Sequence, residues 1–277
     1  MNQADNMDAG VTGDAGYRDY LALFQRNGGT EESYLADHYR RFVVTLEEFR
    51  STWNGNGGRV IDIGAHWLHQ AVMWRQAGFD VTAVDLPGTF AEPSVRRLAQ
   101  AMDIPLVPCP DLEHAAELAA IPDDSMDVVL FTEILEHITF NPIEFWRQVY
   151  RILAPGGRIV VTTPNYYSWK GRAWQFARYL SGNGGGIPVS QVLSTHTYGH
   201  HWREYSRKEV LRYFHLLSPD FVPFKARLMP SYMRSRVRWK SAVQWTLDRL
   251  PLLRPNLHIE IALPKKARGI VASASWG

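Results

Sequence analysis

Residues 59–66 have the sequence Arg59-Val60-Ile61-Asp62-Ile63-Gly64-Ala65-His66, an apolar run that ends at a glycine. Residues 67–74 then have the composition of a helix, and a second apolar run, 81–84, ends at Asp85. A strand, a glycine turn, a helix and a strand ending in an acid form the nucleotide-binding half of a doubly wound α/β domain. The turn presents backbone N–H groups to a ligand, and the acid can accept both hydroxyls of a ribose. The pattern alone also fits NAD-dependent enzymes and folds without a ligand.

The rest of the chain continues the alternation of strands and helices. We predict further strands at 104–107, 128–131, 159–163, 221–228 and 257–263, and helices at 30–51, 92–102, 142–153 and 206–217. Ser206 and Glu209 form a possible capping box at the start of the last of these helices. The sequence therefore predicts an α/β fold: a doubly wound, Rossmann-like, seven-stranded mixed sheet with helices on both faces.

Three motifs, taken in order, resemble the class I methyltransferases that use S-adenosylmethionine, particularly the type 11 and type 23 group that acts on small molecules and glycans. The motifs are Leu135-Glu136-His137, Leu153-Ala154-Pro155-Gly156-Gly157 and His201-Trp202-Arg203-Glu204-Tyr205-Ser206. The resemblance covers residues 59–217. It implies S-adenosylmethionine as the cofactor and an O or N atom of a small molecule or glycan as the acceptor, in secondary-metabolite or polysaccharide biosynthesis.

The resemblance also implies where the cofactor and the acceptor bind. Expected cofactor contacts are Asp62, Gly64, Ala65, His66, Asp85, Leu86, Asp111, Leu112, Thr132 and Glu133. His137 is the expected general base, with His201 second, because an imidazole can take a proton near neutral pH. The alternative is that His137 only fastens the start of the next helix. Expected acceptor contacts are Tyr34, His38, Tyr166, Trp202 and Arg203.

The glycine motif departs from the family pattern. Members of the family usually carry Gly-x-Gly-x-Gly after the first strand, and here His66 and Leu68 replace the second and third glycines. Glycine lets the backbone approach a cofactor without an intervening Cβ. His66 must therefore point away, replace a contact or shrink the site. A catalytically silent member that binds a ligand or partner is one alternative function.

Cysteine and histidine content limits the other kinds of site. Cys109 is the single cysteine of the 277 residues, which excludes an intrachain disulfide and makes the cytoplasm the default compartment. His196, His200 and His201 lie in a loop that should face the pocket, with Glu133 and Glu136 nearby in space. These histidines and carboxylates could hold a divalent metal, but their spacing gives no support for one beyond proximity, so we expect no metal. No apolar run reaches the roughly 18–20 residues that span a bilayer.

Charge is distributed unevenly along the chain. Residues 225–277 contain eleven Lys or Arg and two acids, a net charge of +9, which leaves −7 for residues 1–224 because the whole chain carries +2. The basic part is interpreted as a solvated face or as a weak contact with an anionic surface. It also motivates a second alternative, a nucleic-acid methyltransferase. No RNA-binding appendage is recognisable, so we expect no nucleic-acid partner.

Five segments follow from these patterns. We expect a disordered tail at 1–16, an N-terminal helical cap at 17–58 and the methyltransferase domain at 59–277. Within that domain, the long irregular stretch 164–200 is typical of a lid or substrate loop, and 231–256 should be a basic helical insertion.

Overall fold

The computed structural model describes residues 15–274, except 170, 175, 177–179, 183–185, 234 and 236. The predicted tail lies outside the described residues apart from Ala15 and Gly16, which begin the first helix. Arg234 and Arg236 of the basic insertion also lie outside them. Among the described helices, none combines the length and the apolar character that crossing a membrane requires.

In the described part of the chain, seven strands form one mixed sheet, which confirms the predicted fold class. The strands are β1 Arg59–Ile63, β2 Asp80–Asp85, β3 Leu106–Pro108, β4 Met126–Thr132, β5 Leu153–Pro164, β6 Val222–Met229 and β7 Asn256–Leu263. Their order is β3-β2-β1-β4-β5-β7-β6, and β7 runs antiparallel to both of its neighbours. The order reverses between β1 and β4. Loops that leave these two strands diverge, and this divergence opens a crevice at the sheet's carboxyl edge.

Helices cover both faces of the sheet. They are α1 Ala15–Arg26, α2 Glu32–Arg50, α3 His69–Gln76, α4 Pro87–Ala91, α5 Pro93–Met102, α6 Ile143–Ile152, α7 Val189–Ser194, α8 Arg207–Leu217 and α9 Arg238–Asp248. Neighbouring strand residues belong to two different cores. Val60 and Leu130 pack with α1, α2, α3 and α5, whereas Ile61 and Phe131 pack with α6 and α8. Both faces are buried, which explains why the central strands are apolar throughout.

Three local differences from the predicted elements have physical causes. Helix α3 begins two residues later than expected because Leu68 has φ of 66°, a left-handed conformation that an α-helix cannot contain. The sequence predicts one helical cap and does not separate α1 from it. In the structure α1 is a helix of its own that buries Tyr17, Tyr20 and Phe24 at helical spacing. Strand β5 begins at Leu153 because a register shift in its pairing with β4 accommodates the Pro-Gly-Gly segment.

The predicted capping box is confirmed at the start of α8. The Glu209 N–H donates to Ser206 Oγ at 3.3 Å, and the Ser206 N–H donates to Glu209 Oε2 at 2.9 Å. These two bonds fix the direction in which the chain enters α8. They therefore also fix the end of the preceding segment, 201–205.

A buried ion cluster connects α2 to the antiparallel edge of the sheet. Glu260 is fully buried and lies 3.0 Å from Arg158 and 3.6 Å from Lys225. Lys225 also contacts Glu48 of α2 at 2.7 Å, and His258 lies 3.2 Å from Glu260. Because α2 carries residues of the N-terminal region over the crevice, the cluster positions that helix relative to the strands.

Glu260→Gln should therefore destabilise the fold strongly. The change keeps the side-chain size but leaves Arg158 and Lys225 without their shared counter-charge, at a cost of about 3–5 kcal/mol. The free energy of unfolding in urea measures the loss. The matched control is Glu144→Gln, which breaks an exposed pair with Arg147 and should cost about 0–1 kcal/mol. Equal losses for the two variants would contradict a structural role of the cluster.

Candidate active site

A cavity of about 480 Å³ lies at the carboxyl ends of the parallel strands, where the strand order reverses. All ten residues expected to contact the cofactor line it: Asp62, Gly64, Ala65, His66, Asp85, Leu86, Asp111, Leu112, Thr132 and Glu133. Tyr34 and His137, predicted on other grounds, line it as well. The fold therefore brings together residues from four strand ends and from α2.

The turn after β1 is held to the end of β2 by backbone hydrogen bonds. Gly64 and Ala65 both donate their N–H groups to the Val84 carbonyl, at 2.8 and 3.0 Å. Gly64 has φ of 75°, and a Cβ at this position would overlap the Ile134 side chain. Glycine at this first position of the motif therefore avoids both the backbone strain of this φ and a displacement of the Ile134 side chain.

The residues that replace the second and third glycines have the left-handed backbone that glycine commonly adopts. His66 and Leu68 have φ of 50° and 66°, left-handed values that cost about 1–2 kcal/mol per residue. Leu68 is fully buried, and the His66 ring packs against Trp67 and Tyr34 with centroid distances of 3.8 and 5.1 Å. His66 thus forms part of the cavity wall, and the cavity remains open beside it.

Asp85 and Asp111 use their carboxylates differently. Asp85 accepts the backbone N–H of His66 on Oδ2 and that of Leu86 on Oδ1, each at 2.7 Å. Each oxygen keeps a further lone pair that a ribose hydroxyl can use. Asp111 accepts the Glu113 N–H and contacts the His114 ring, whose hydrogen bond lowers the pKa of Asp111. Its carboxylate is therefore engaged within its own turn.

Asp62 is a buried acid with an unused acceptor. It is 1% exposed, and its Oδ2 has no hydrogen-bond partner among the described residues. Burial, followed by repulsion from Asp85, raises the pKa of Asp62 to about 8. Such a group is stabilised in its charged form when a cation lies beside it. The Asp62 carboxyl can thus receive an ammonium group.

Arg41 is a cavity residue that sequence reasoning missed. Its NH1 lies 3.5 Å from Glu133 Oε2, and its buried Nε has no partner within the described residues. Positions 34, 38 and 41 share one face of α2, so the helical spacing from Tyr34 would have found it. His38 does not line the cavity but packs against Tyr34 at 4.3 Å, and burial lowers the pKa of His38 to about 4.

His137 and His201 lie next to each other at the end of β4. Their rings are nearly perpendicular, with centroids 4.8 Å apart. His137 Nδ1 lies 3.0 Å from the His200 carbonyl oxygen. Because a carbonyl can only accept, Nδ1 is the donor, and Nε2 of the neutral ring carries a lone pair. Burial lowers the pKa of both histidines, so both are neutral near pH 7. His137 lines the cavity, and His201 does not.

Three expected acceptor contacts besides His38 do not line the cavity either. The Arg203 side chain is 62% exposed and pairs with Glu209 at 3.0 Å. Trp202 Nε1 donates to the Thr197 carbonyl, and the Tyr166 ring packs against Tyr167. Their side chains are thus used in local contacts. This part of the wall consists instead of Ile138, Phe140, Tyr198 and Gly199.

The polar groups along the wall fit a nucleoside joined to an amino acid. Asp85 can hold a ribose, while the buried Asp62 offers an acid for an ammonium group and the buried Arg41 offers a guanidinium for a carboxylate. The buried Gln70 Nε2 is a further donor without a partner among the described residues. Buried polar atoms are normally hydrogen-bonded, so this set of unused groups indicates a polar ligand.

Comparisons with known proteins agree with this geometry. Residues 34–214 match a family model described as a methyltransferase domain, which is more than half of the chain. A ubiquinone biosynthesis O-methyltransferase from Caulobacter is 34% identical over 125 residues, covering 43% of this chain and 48% of that protein. The chain thus spans about half the length of this relative.

Solved structures show the same fold at low identity. The phosphoethanolamine N-methyltransferase 2 of Haemonchus contortus, with S-adenosylhomocysteine bound, has a TM-score of 0.55 and 14% identity, over 90% of this chain and 60% of that one. A geranyl diphosphate C-methyltransferase from Streptomyces coelicolor, also with S-adenosylhomocysteine, has a TM-score of 0.54 and 17% identity, over 93% and 90%.

These findings confirm the resemblance first drawn from the three sequence motifs. The matched region begins in α2 at Tyr34, ends in α8 and contains the glycine turn, Asp85 and His137. The chain therefore belongs to the methyltransferase domain family and has the fold of the class I enzymes that use S-adenosylmethionine.

Proposed function

We propose that this protein transfers the methyl group of S-adenosylmethionine to a small molecule or glycan, with a hydroxyl oxygen as the favoured acceptor and nitrogen as the alternative. The observation that carries the proposal is one cavity that joins Asp85, Asp62 and Arg41 to a neutral, partly accessible His137. The first three residues can hold a cofactor and the fourth can accept a proton, so both needs of the reaction meet in one space.

Three side chains would hold the ribose and the methionine portion of the cofactor. Asp85 accepts the ribose hydroxyls, Asp62 accepts the ammonium group of the methionine portion, and Arg41 binds its carboxylate. When bound, S-adenosylmethionine supplies an electrophilic methyl group: the acceptor's lone pair forms a bond to carbon as the carbon–sulfur bond breaks, and that electron pair stays on sulfur. The protein's main contribution is then alignment, which is worth up to roughly 7–11 kcal/mol.

A hydroxyl acceptor must lose its proton as it becomes an ether. His137 Nε2 can accept this proton because it has a lone pair. The hydrogen bond from Nδ1 to the His200 carbonyl fixes the orientation of the ring. His201 is the second candidate because its ring contacts that of His137. An amine that arrives neutral needs no such base, and so the paired histidines favour oxygen. The O-methyltransferase among the relatives supports the same choice.

The wall near His137 suits an apolar or ring-shaped acceptor. Ile138, Phe140 and Tyr198 supply apolar and aromatic surface, and Tyr198 and Gly199 belong to the segment 164–200. We propose that this segment acts as the substrate loop, limiting water at the reacting atoms. A catalytically silent protein, the alternative raised by His66 and Leu68, is disfavoured because the cavity stays open and its wall keeps unused polar atoms. We propose no nucleic-acid acceptor.

Asp85→Ala should weaken binding of S-adenosylmethionine at least tenfold, about 1.4 kcal/mol. The change removes the acceptor of the ribose hydroxyls and also the anchor of the His66 N–H. Calorimetric titration measures the affinity. The matched control is Asp80→Ala at the opposite end of β2, where the side chain is 78% exposed. If both variants bind the cofactor as tightly as the wild type, Asp85 is not a cofactor ligand.

Binding of S-adenosylhomocysteine at pH 7 should release up to about one proton per protein. Asp62, with its pKa raised to about 8, is mostly protonated before binding, and a neighbouring ammonium group lowers that pKa. Calorimetry in two buffers of different ionisation enthalpy counts the protons. Asp62→Asn should abolish the release, while Asp111→Asn, the control, should retain it because the pKa of Asp111 is already low. Equal release by both variants would exclude Asp62 as the source.

His137→Ala should lose about a hundredfold or more in turnover while keeping its affinity for S-adenosylhomocysteine. The reason is that His137 contacts the acceptor's proton and not the cofactor. Turnover is measured with radiolabelled S-adenosylmethionine and a panel of hydroxylated aromatic compounds and sugars. His215→Ala, an exposed histidine of α8, is the control. Normal turnover in the His137 variant would refute its role.

A further inference from the structure

An exposed apolar surface lies outside the cavity, on the basic insertion. Most large apolar side chains that are exposed in the described part of the chain belong to two segments, 164–200 and 231–256. The second segment, the insertion, exposes Trp239, Trp245, Leu250 and Leu252, and Leu252 reaches 71%. Single exposed apolar residues are normal on a folded protein, but a group of this kind indicates an interaction site.

Helix α9 of the insertion packs against the protein with its polar side. Gln244 Oε1 accepts the Ser235 N–H at 2.7 Å, and Asp248 Oδ1 accepts the N–H and the hydroxyl of Ser231 at 3.1 Å. Gln244 and Asp248 are the buried residues of the helix, whereas Trp239 is 65% exposed. A surface helix normally buries its apolar side. The reversed arrangement of α9 leaves its apolar side available to a partner.

Hydrogen bonds fix the insertion in this orientation. Arg254 donates to the Asp248 carbonyl at 2.8 Å and to the Leu228 carbonyl at 3.0 Å. The Asn256 side chain donates to the Pro230 carbonyl at 2.9 Å. These bonds tie the end of α9 to β6 and to the start of β7. The helix is therefore held with its apolar side outward.

The segment 164–200 extends the same surface. The Asn165 side chain donates to the carbonyls of Leu252 and Arg254, which joins the start of this segment to the end of the insertion. Trp174 is half-exposed and donates its Nε1 to the Tyr167 carbonyl, close to that junction. The same segment also supplies part of the cavity wall. The exposed surface is thus continuous with an element of the active site.

Positive charge is interleaved with the aromatic rings. The insertion contains six Lys or Arg and the segment 164–200 contains three, against a single acid, which is buried. Lys240 Nζ lies 5.5 Å from the centroid of the Trp239 ring, and the Arg249 guanidinium carbon lies 3.2 Å from that of Trp245. The surface is therefore complementary to a partner that is both anionic and apolar.

We infer that this surface docks the protein onto an anionic lipid membrane. The docking surface consists of Arg238, Trp239, Lys240, Trp245, Arg249, Leu250 and Leu252. Trp rings favour the level of the lipid headgroups, Leu side chains enter the acyl region, and Lys and Arg attract lipid phosphates. A nucleic acid would use the cations and stack on the rings but would leave the Leu side chains in water. A bilayer accommodates all three kinds of side chain.

The test is flotation of the whole protein with vesicles of phosphatidylglycerol and phosphatidylcholine, compared with vesicles of phosphatidylcholine alone. Wild type should bind the anionic vesicles more tightly, and added salt should weaken binding. Arg238→Glu with Lys240→Glu should reduce binding about tenfold or more, because two attractive charges become repulsive. The matched control, Arg18→Glu with Arg26→Glu, makes the same charge change on α1, whose described residues expose no large apolar side chain.

A second pair of variants separates insertion into the bilayer from attraction between charges. Trp239→Ala with Trp245→Ala should also reduce binding about tenfold or more. Leu216→Ala with Val271→Ala, which removes two exposed apolar side chains elsewhere, should not. None of these four residues lines the cavity, so every variant should keep its affinity for S-adenosylhomocysteine, and that titration also shows that the variant is folded.

Three results would overturn the inference while leaving the proposed methyl transfer intact. The first is no binding of wild type to anionic vesicles at low salt, or equal binding by Trp239→Ala with Trp245→Ala. The second is tighter binding to polyuridylic acid than to vesicles, lost in the same variant, which would assign the surface to a nucleic acid. The third is self-association without vesicles, abolished in that variant, which would assign it to a second copy of the chain.

Discussion

The reversal of strand order between β1 and β4 is the constraint on which the rest of the structure depends. The chain must leave these neighbouring strands toward opposite faces of the sheet, and no backbone can fill the space between the departing loops. Gly64 and Glu133 mark the two sides of that space, and both have positive φ. The topology of the sheet thus creates the cavity, and the side chains that line it supply its charged groups.

Distant parts of the chain complete the cavity, and each has its own anchor. The buried cluster around Glu260 fixes α2, which carries Tyr34 and Arg41 to one wall. The capping box of α8 and the bonds to the Glu136 carbonyl fix the segment that carries His201. These anchors are ordinary stabilising interactions. Their functional effect is to set the relative positions of residues that belong to different secondary-structure elements.

Several buried polar atoms that line the cavity have no partner among the described residues. Asp62, Arg41 and Gln70 each retain one such atom, and their burial costs stability in the free protein. A ligand that supplies the missing charges recovers that cost on binding, so affinity for the ligand and instability of the free site have the same origin. The left-handed backbone at His66 adds strain at the same place, as functional sites often do.

The sequence by itself determined the sheet, its central strands, the glycine turn, Asp85 and His137, because local periodicity and strand-end motifs depend on neighbouring residues. Only the tertiary structure decided that Tyr166, Trp202 and Arg203 do not line the cavity and that Tyr198 and Gly199 do. Side-chain direction in an irregular segment depends on which distant carbonyl its backbone binds, and sequence spacing does not encode that partner.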